Sequence, residues 1–137
     1  MKKYKILVIE DSQDIIEDLP RLMETYGIMA DATSNLSEAF SKIAEVSYDC
    51  VILDIKMPPS GDINIDESDN GRLTGVLVCK KLRQINPDLP VLVITSLTDK
   101  KSHDLVMKAG TNLILTKPCY PDEIVQKIKI LADKRSR

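Results

Sequence analysis

Four short stretches of this chain are solidly apolar, and each stops dead at a polar residue. They are Ile6-Leu7-Val8-Ile9 before Glu10-Asp11, Cys50 to Leu53 before Asp54, Val91 to Ile94 before Thr95-Ser96, and Leu113-Ile114-Leu115 before Thr116-Lys117. Runs this short, without polar alternation, read as strands covered on both faces, which is the condition of a parallel sheet. Parallel strands need crossovers, and the residues between the runs have helical spacing. Ser12 to Tyr26 carries Ile15, Ile16, Leu19, Leu22 and Met23, with Gly27 as its stop and Pro20 as an internal kink expected near Ile16. A weak strand, Met29 to Thr33, reads as an edge. Asn35 then caps a helix with Glu38 three residues on, and its inner stripe is Leu36, Ala39, Phe40, Ile43 and Ala44. A helix from Thr74 or Gly75 to Asn86 turns Val78, Leu82 and Ile85 inward. Asp99 to Lys108 is a helix stopped by Gly110. The last helix opens on Pro121 with Asp122-Glu123 in its first turn and carries Lys134 and Arg135 in its last, and Ile124, Ile128 and Leu131 form its buried stripe. Five strands alternating with five helices predict an α/β parallel sheet between helical layers.

At 137 residues the chain suits one domain, 1–137, able to bury a core without disulfides or metals. A net charge of −2 gives no reason to expect direct contact with nucleic acid or an anionic membrane. Cys50, Cys79 and Cys119 lack CxxC spacing and read as reduced core fillers. The apolar runs are too short to span a bilayer, Met1-Lys2-Lys3-Tyr4 does not begin a signal peptide, and a cytoplasmic location is the expectation.

Since parallel strands point one way, their polar ends converge on one sheet edge, where open α/β folds bind ligands. Glu10, Asp11 and Asp54 would repel each other there, each pair costing about 1 kcal/mol at ~4 Å in water and about four times that at an effective dielectric near 20. A divalent cation relieves the repulsion, and oxygen-only ligands select magnesium or manganese over zinc. Lys117 and the Thr95 hydroxyl could hold a tetrahedral anion beside that ion. The set describes a phosphoryl-transfer site with Asp54 as its nucleophile.

The ordered set of Glu10-Asp11, Asp54 with Met57-Pro58, Gly75, Pro90 to Thr95-Ser96, Ala109-Gly110 and Lys117-Pro118 resembles the response-regulator receiver domain over essentially the whole chain. The resemblance implies a (βα)5 flavodoxin-like fold with strand order 2-1-3-4-5. It implies that Asp54 accepts a phosphoryl group from the phosphohistidine of a sensor histidine kinase or histidine phosphotransfer protein. Asp11, Asp54 and the backbone carbonyl of Lys56 would ligate Mg²⁺ or Mn²⁺, and Glu10 would act directly or through water. Lys117 would pair with phosphoryl oxygens, its bond to Pro118 would be cis, and Thr95, with Ser96 beside it, would bind the phosphoryl group and switch the domain. A homodimer through the fourth-helix, fifth-strand and fifth-helix face is a further implication. The domain would be a phosphoacceptor, not an enzyme; the alternative is an unphosphorylated interaction scaffold. A phosphatase would need a second acid where Lys56 stands, and a flavin protein would need a phosphate-cradling loop where Glu10-Asp11 stands.

Some features depart from that family. Ile114 takes the place of the usual aromatic and reads as an inward-facing core residue. The connection about 59–73, acidic and without a basic residue from Pro59 to Gly71, exceeds the family norm by about a dozen residues and reads as a solvated, mobile loop. Its Asp62-Ile-Asn64-Ile-Asp66 spacing imitates half a calcium loop, but Glu67 and Leu73 stand where that motif needs Gly and Glu. His103 is expected on the exposed side of the fourth helix. Lys56 and Leu97 are expected to flank the pocket, with Leu97 hindering attacking water. Both a stand-alone receiver and a piece of a longer protein fit a chain ending at Arg137.

Overall fold

A computed structural model describes residues 3–60 and 63–135. The strands are β1 (Tyr4–Ile9), β2 (Ile28–Thr33), β3 (Cys50–Leu53), β4 (Val91–Thr95) and β5 (Leu113–Thr116). The helices are α1 (Gln13–Thr25), α2 (Leu36–Glu45), α3 (Thr74–Ile85), α4 (Lys100–Ala109) and α5 (Pro121–Arg135). The strands form one sheet in the order β2-β1-β3-β4-β5, every pair parallel, which is the flavodoxin-like architecture expected.

Strand pleating divides each apolar run between two cores. Leu7, Ile9, Val51, Leu53, Val91 and Val93 face α2, α3 and α4, packing with Leu36, Ala39, Val78, Leu82 and Val106. Ile6, Val8, Cys50, Ile52, Leu92 and Ile94 face α1 and α5, packing with Met23, Ile124, Val125, Ile128 and Leu131. Two filled faces explain why the central strands carry no polar alternation. The register sets Ile9 beside Leu53 and Leu53 beside Val93, so β1 and β3 end at one level while β4 runs two residues further, to Thr95.

Local signals operate as their chemistry requires. Asn35 accepts from the Glu38 amide at 2.8 Å, and Asp99 accepts from Ser102 at 3.0 Å, capping α2 and α4. Gly110 ends α4 at φ 112°, a left-handed conformation that glycine reaches without strain. Pro20 removes one donor from α1, yet the helix continues to Thr25.

Several expectations need correction. Ala44 is exposed and Ile85 is 37% exposed, because each lies past the arc of its helix that the sheet covers. Cys119 is half-buried at the turn after Lys117-Pro118, unlike Cys50 and Cys79 in the core. His103 is half-buried, not outward, since its Nε2 lies 2.6 Å from the Leu97 carbonyl oxygen. Ile114 packs on the α2–α4 core but is only half-buried, because β5 is an edge strand.

The connection after β3 is also more ordered than a solvated loop. Ile63 enters the core and Ser68 is fully buried. The Ser68 hydroxyl donates to the Ile65 carbonyl at 2.8 Å and accepts from the Gly71 amide at 3.1 Å, closing a compact turn on its own backbone. Asp62, the first acid of the calcium-like spacing, lies outside the described residues.

Candidate functional site

Where β1, β3 and β4 end, three polar side chains are buried: Glu10, Asp54 and Thr95. Asp11 and Ser96 stand beside them, exposed. Each strand's polar terminus is therefore delivered to one sheet edge, as parallel topology requires. Asp54 Oδ2 accepts from Lys117 Nζ at 3.0 Å, and Asp54 Oδ1 from the Lys56 amide at 3.3 Å. Lys117 Nζ also lies 3.8 Å from Glu10 Oε2. Lys117 reaches in from the turn after β5, where its amide donates to the Thr95 carbonyl at 2.8 Å and its bond to Pro118 is cis.

Glu10 has a second task that its sequence position did not announce. Its Oε1 accepts from the Asp11 and Ser12 amides at 3.1 and 3.2 Å, while Ser12 itself makes no side-chain cap to α1. The carboxylate thus satisfies donors at the helix entry that would otherwise be orphaned. Burial pushes the Glu10 carboxyl above the usual range, reinforced by Asp11 and by the Asp54 charge, while Lys117 and the Ser12 amide oppose the shift. For Lys117, burial alone would weaken the ammonium. The Asp54 hydrogen bond and the charges of Asp54, Glu10 and Asp11 more than offset this, and its pKa is raised.

The Thr95 hydroxyl accepts from the Leu97 amide at 3.2 Å, so it is committed to its own loop. Leu97 is half-buried against the α2–α4 core. Gly75 opens α3 against the exit of β3, its amide donating to the Ile55 carbonyl at 2.7 Å. A Cβ there would lie 2.2 Å from the Asp54 carbonyl oxygen and 2.6 Å from Ile55 Cα, so only glycine lets the helix approach. A cavity of about 410 Å³ adjoins the cluster. Val8, Ile15, Leu19, Ile52, Ile94 and Ile124 wall it, with Glu10, Asp54 and Lys117 as its charged lining.

Among the described residues no three His, Cys, Asp or Glu side chains group closely enough to hold a metal unaided. Magnesium does not require that, since it keeps several waters and takes one or two carboxylates. The donors present, carboxylates and a neighbouring backbone carbonyl, are all hard oxygens and fit such an ion.

One contact was not foreseen. Arg72, the first basic residue after the acidic stretch, pairs with Asp99 at 3.2 Å. Its place at the end of an uncompensated run of acids was the only signal available in the sequence.

A flavodoxin-like sheet with carboxylates and a lysine gathered at its C-terminal edge puts the chain among the open α/β domains that bind ligands at that edge. The response regulator receiver domain model matches residues 6–129, and the chain belongs to that family. It is a receiver domain of two-component signalling, a family that typically binds Mg²⁺ at the phosphorylation site. Response regulator MprA of Mycobacterium sp. (strain KMS) is 30% identical over 132 residues, covering 96% of this chain and 52% of that protein. The chain spans about half the length of the curated relatives it matches. Among solved structures, the Francisella response regulator 1452 receiver domain is 27% identical with a TM-score of 0.79, covering 98% of this chain and 100% of that one. A CheY-like receiver domain protein from Methanospirillum hungatei JF-1, at 20% identity, shares the fold with a TM-score of 0.82 over 98% of each chain.

Proposed function

We propose that this chain is a single phosphoacceptor domain in which Asp54 takes a phosphoryl group from the phosphohistidine of a sensor histidine kinase or histidine phosphotransfer protein. The observation that carries the reading is the buried Asp54 carboxylate held 3.0 Å from Lys117 Nζ. In the transfer, an Asp54 carboxylate oxygen forms the new bond to phosphorus as the bond from phosphorus to the imidazole nitrogen breaks, and the imidazole leaves. Lys117 balances charge on the transferred oxygens, a role supported by its contacts with Asp54 and Glu10. Asp11, Asp54 and the Lys56 carbonyl would hold Mg²⁺ (or Mn²⁺), with Glu10 acting directly or through water. Such an ion supplies charge neutralisation and alignment of the phosphoryl oxygens.

The aspartyl phosphate adds about −1.5 to −2 charge and strong acceptors. Thr95, beside the exposed Ser96, would turn its hydroxyl to that group and give up the Leu97 amide. Moving a two-state equilibrium from 1:99 to 99:1 takes about 5.5 kcal/mol, within reach of a few charge-assisted bonds. Met107 on α4, Tyr120 after β5 and Ile130 on α5 are exposed apolar residues that support pairing of two copies through that face. The domain would act through protein contacts, not as an enzyme. A cytoplasmic setting accords with its free thiols, and no helix among the described residues is long and apolar enough to cross a membrane.

The test is incubation with Mg²⁺ and acetyl phosphate followed by mass spectrometry. One added phosphoryl group is expected on the wild type, none on Asp54→Ala, and none when EDTA removes the ion. A wild type that stays unmodified and binds neither Mg²⁺ nor beryllofluoride would favour the scaffold reading instead.

A further inference from the structure

The loop 96–99 after Thr95 is tied down at two points, and neither tie belongs to the phosphoryl site. At its far end Asp99 divides its two oxygens between two partners. Oδ2 caps α4 through the Ser102 amide at 3.0 Å and hydroxyl at 2.7 Å, and Oδ1 meets Arg72 Nη2 at 3.2 Å. In its middle, the Leu97 carbonyl accepts from His103 Nε2, one turn into α4. The Leu97 amide in turn is what the Thr95 hydroxyl now accepts from.

Arg72 is held in place by the folded connection after β3. Asp69 and Asn70 at φ 53° and 55°, then Gly71 at 91°, coil the backbone left-handed before it. The Gly71 carbonyl accepts from the Met57 amide at 3.0 Å, and a Cβ on Gly71 would lie 2.9 Å from the Met57 carbonyl oxygen. Ser68, fully buried, closes the turn through its hydroxyl, and its carbonyl accepts from the Leu73 amide at 2.7 Å. Arg72 is thus mounted on a compact turn that is fastened to the strand exit bearing Asp54.

We propose that Arg72 and His103 form a clamp on the loop 96–99, by which the acidic connection after β3 sets how readily Thr95 turns toward a phosphoryl group on Asp54. This rests on reading Asp54 as the phosphoacceptor. When the Thr95 hydroxyl turns away, the Leu97 amide loses its acceptor and the loop must move to find another. Arg72 on Asp99 and His103 on Leu97 both oppose that movement, so the clamp favours the unphosphorylated arrangement. Coupling is reciprocal: phosphorylation loosens the Arg72–Asp99 pair, and anything that draws Arg72 away favours the phosphorylated state. Both residues are positioning residues, and neither touches the reacting atoms.

The experiment measures Mg²⁺-dependent beryllofluoride affinity by calorimetry on the whole chain. Arg72→Ala and Asp99→Asn each tighten binding about two- to five-fold, the range for an exposed ion pair. The asparagine keeps an oxygen to cap α4, which separates the clamp from the cap. His103→Ala tightens it about two- to ten-fold, the range for one hydrogen bond. Arg72→Lys stays near wild type, the Arg72→Ala/Asp99→Asn double variant gains no more than either single one, and 1 M salt abolishes the Arg72 effect. Mg²⁺ affinity without beryllofluoride does not move. Unchanged or weaker binding in the variants of a wild type that binds normally overturns the clamp alone, as does a matching shift in Mg²⁺ affinity. A wild type that takes up neither beryllofluoride nor acetyl phosphate overturns the clamp and the phosphoacceptor reading together.

Discussion

Gly75 is the residue at which the site has least room. The Cβ of an alanine would fall on the carbonyl of the candidate phosphoacceptor itself, and both atoms it meets are backbone, so neither can rotate away. Gly75→Ala must push α3 from the exit of β3. It is expected to cost about 1–3 kcal/mol of stability, as overpacking does, read as a lowered denaturation midpoint. It should also slow acetyl phosphate uptake by about tenfold or more, because a displacement near 1 Å at a reacting group can cost up to about a hundredfold. Normal stability and normal uptake would show that the strand exit yields. At the same scale, the three buried polar side chains of the site, Glu10, Asp54 and Thr95, could be read from sequence, because each ends an apolar run. That Glu10 also serves the entry of α1 could not, since it depends on how its side chain folds back.

Among the elements, α3 and the two turns it faces depend on one side chain. Arg83 Nε donates to the Gly110 carbonyl at 2.9 Å and Nη2 to Asn112 Oδ1 at 2.7 Å, while Nη1 reaches the carbonyls of Pro87 and Leu89. Asn112 Oδ1 also accepts from the Val91 amide at 2.8 Å, joining the network to the start of β4. All of this lies at the opposite end of β4 from Thr95. Arg83→Ala is therefore expected to destabilise the fold by about 2 kcal/mol, the range for hydrogen bonds to a charged donor. Phosphoryl uptake at Asp54 should be unchanged at temperatures where the variant is folded. A urea titration paired with the acetyl phosphate assay checks both halves, and a loss of uptake without a loss of stability would contradict the assignment. Helices and strands were legible wherever periodicity was strong and caps were present, as at Asn35 and Asp99. The connection after β3 was not. Its composition is that of a solvated loop, and only the burial of its own Ile63 and Ser68 makes it an element.

For the whole molecule, the charge cluster at the sheet edge links stability to pH. Lys117 has a raised pKa in the folded state, so the folded chain holds that proton more tightly than the unfolded one. Its contribution is fully present below the ordinary lysine value of 10.5 and is lost as pH rises through the higher folded value. Unfolding free energy measured from pH 8 upward should fall more steeply in wild type than in Lys117→Met, with the difference confined to alkaline pH. Parallel curves would remove the linkage. Glu10 acts in the opposite range: its raised carboxyl makes stability rise as pH falls from its folded value toward the ordinary 4.5.

From the sequence alone came the five-stranded parallel architecture and the acids, hydroxyl and lysine at its edge. Those follow from apolar periodicity and from the rule that parallel strands end together, and both are local or topological. The tertiary structure alone decided which oxygen of Asp54 meets Lys117, that Glu10 accepts from the two amides just before α1, and that Arg72 meets Asp99 and His103 meets Leu97 in the loop after Thr95. Each of these joins groups whose approach is set by how whole elements pack, and no spacing within a single stretch encodes that distance.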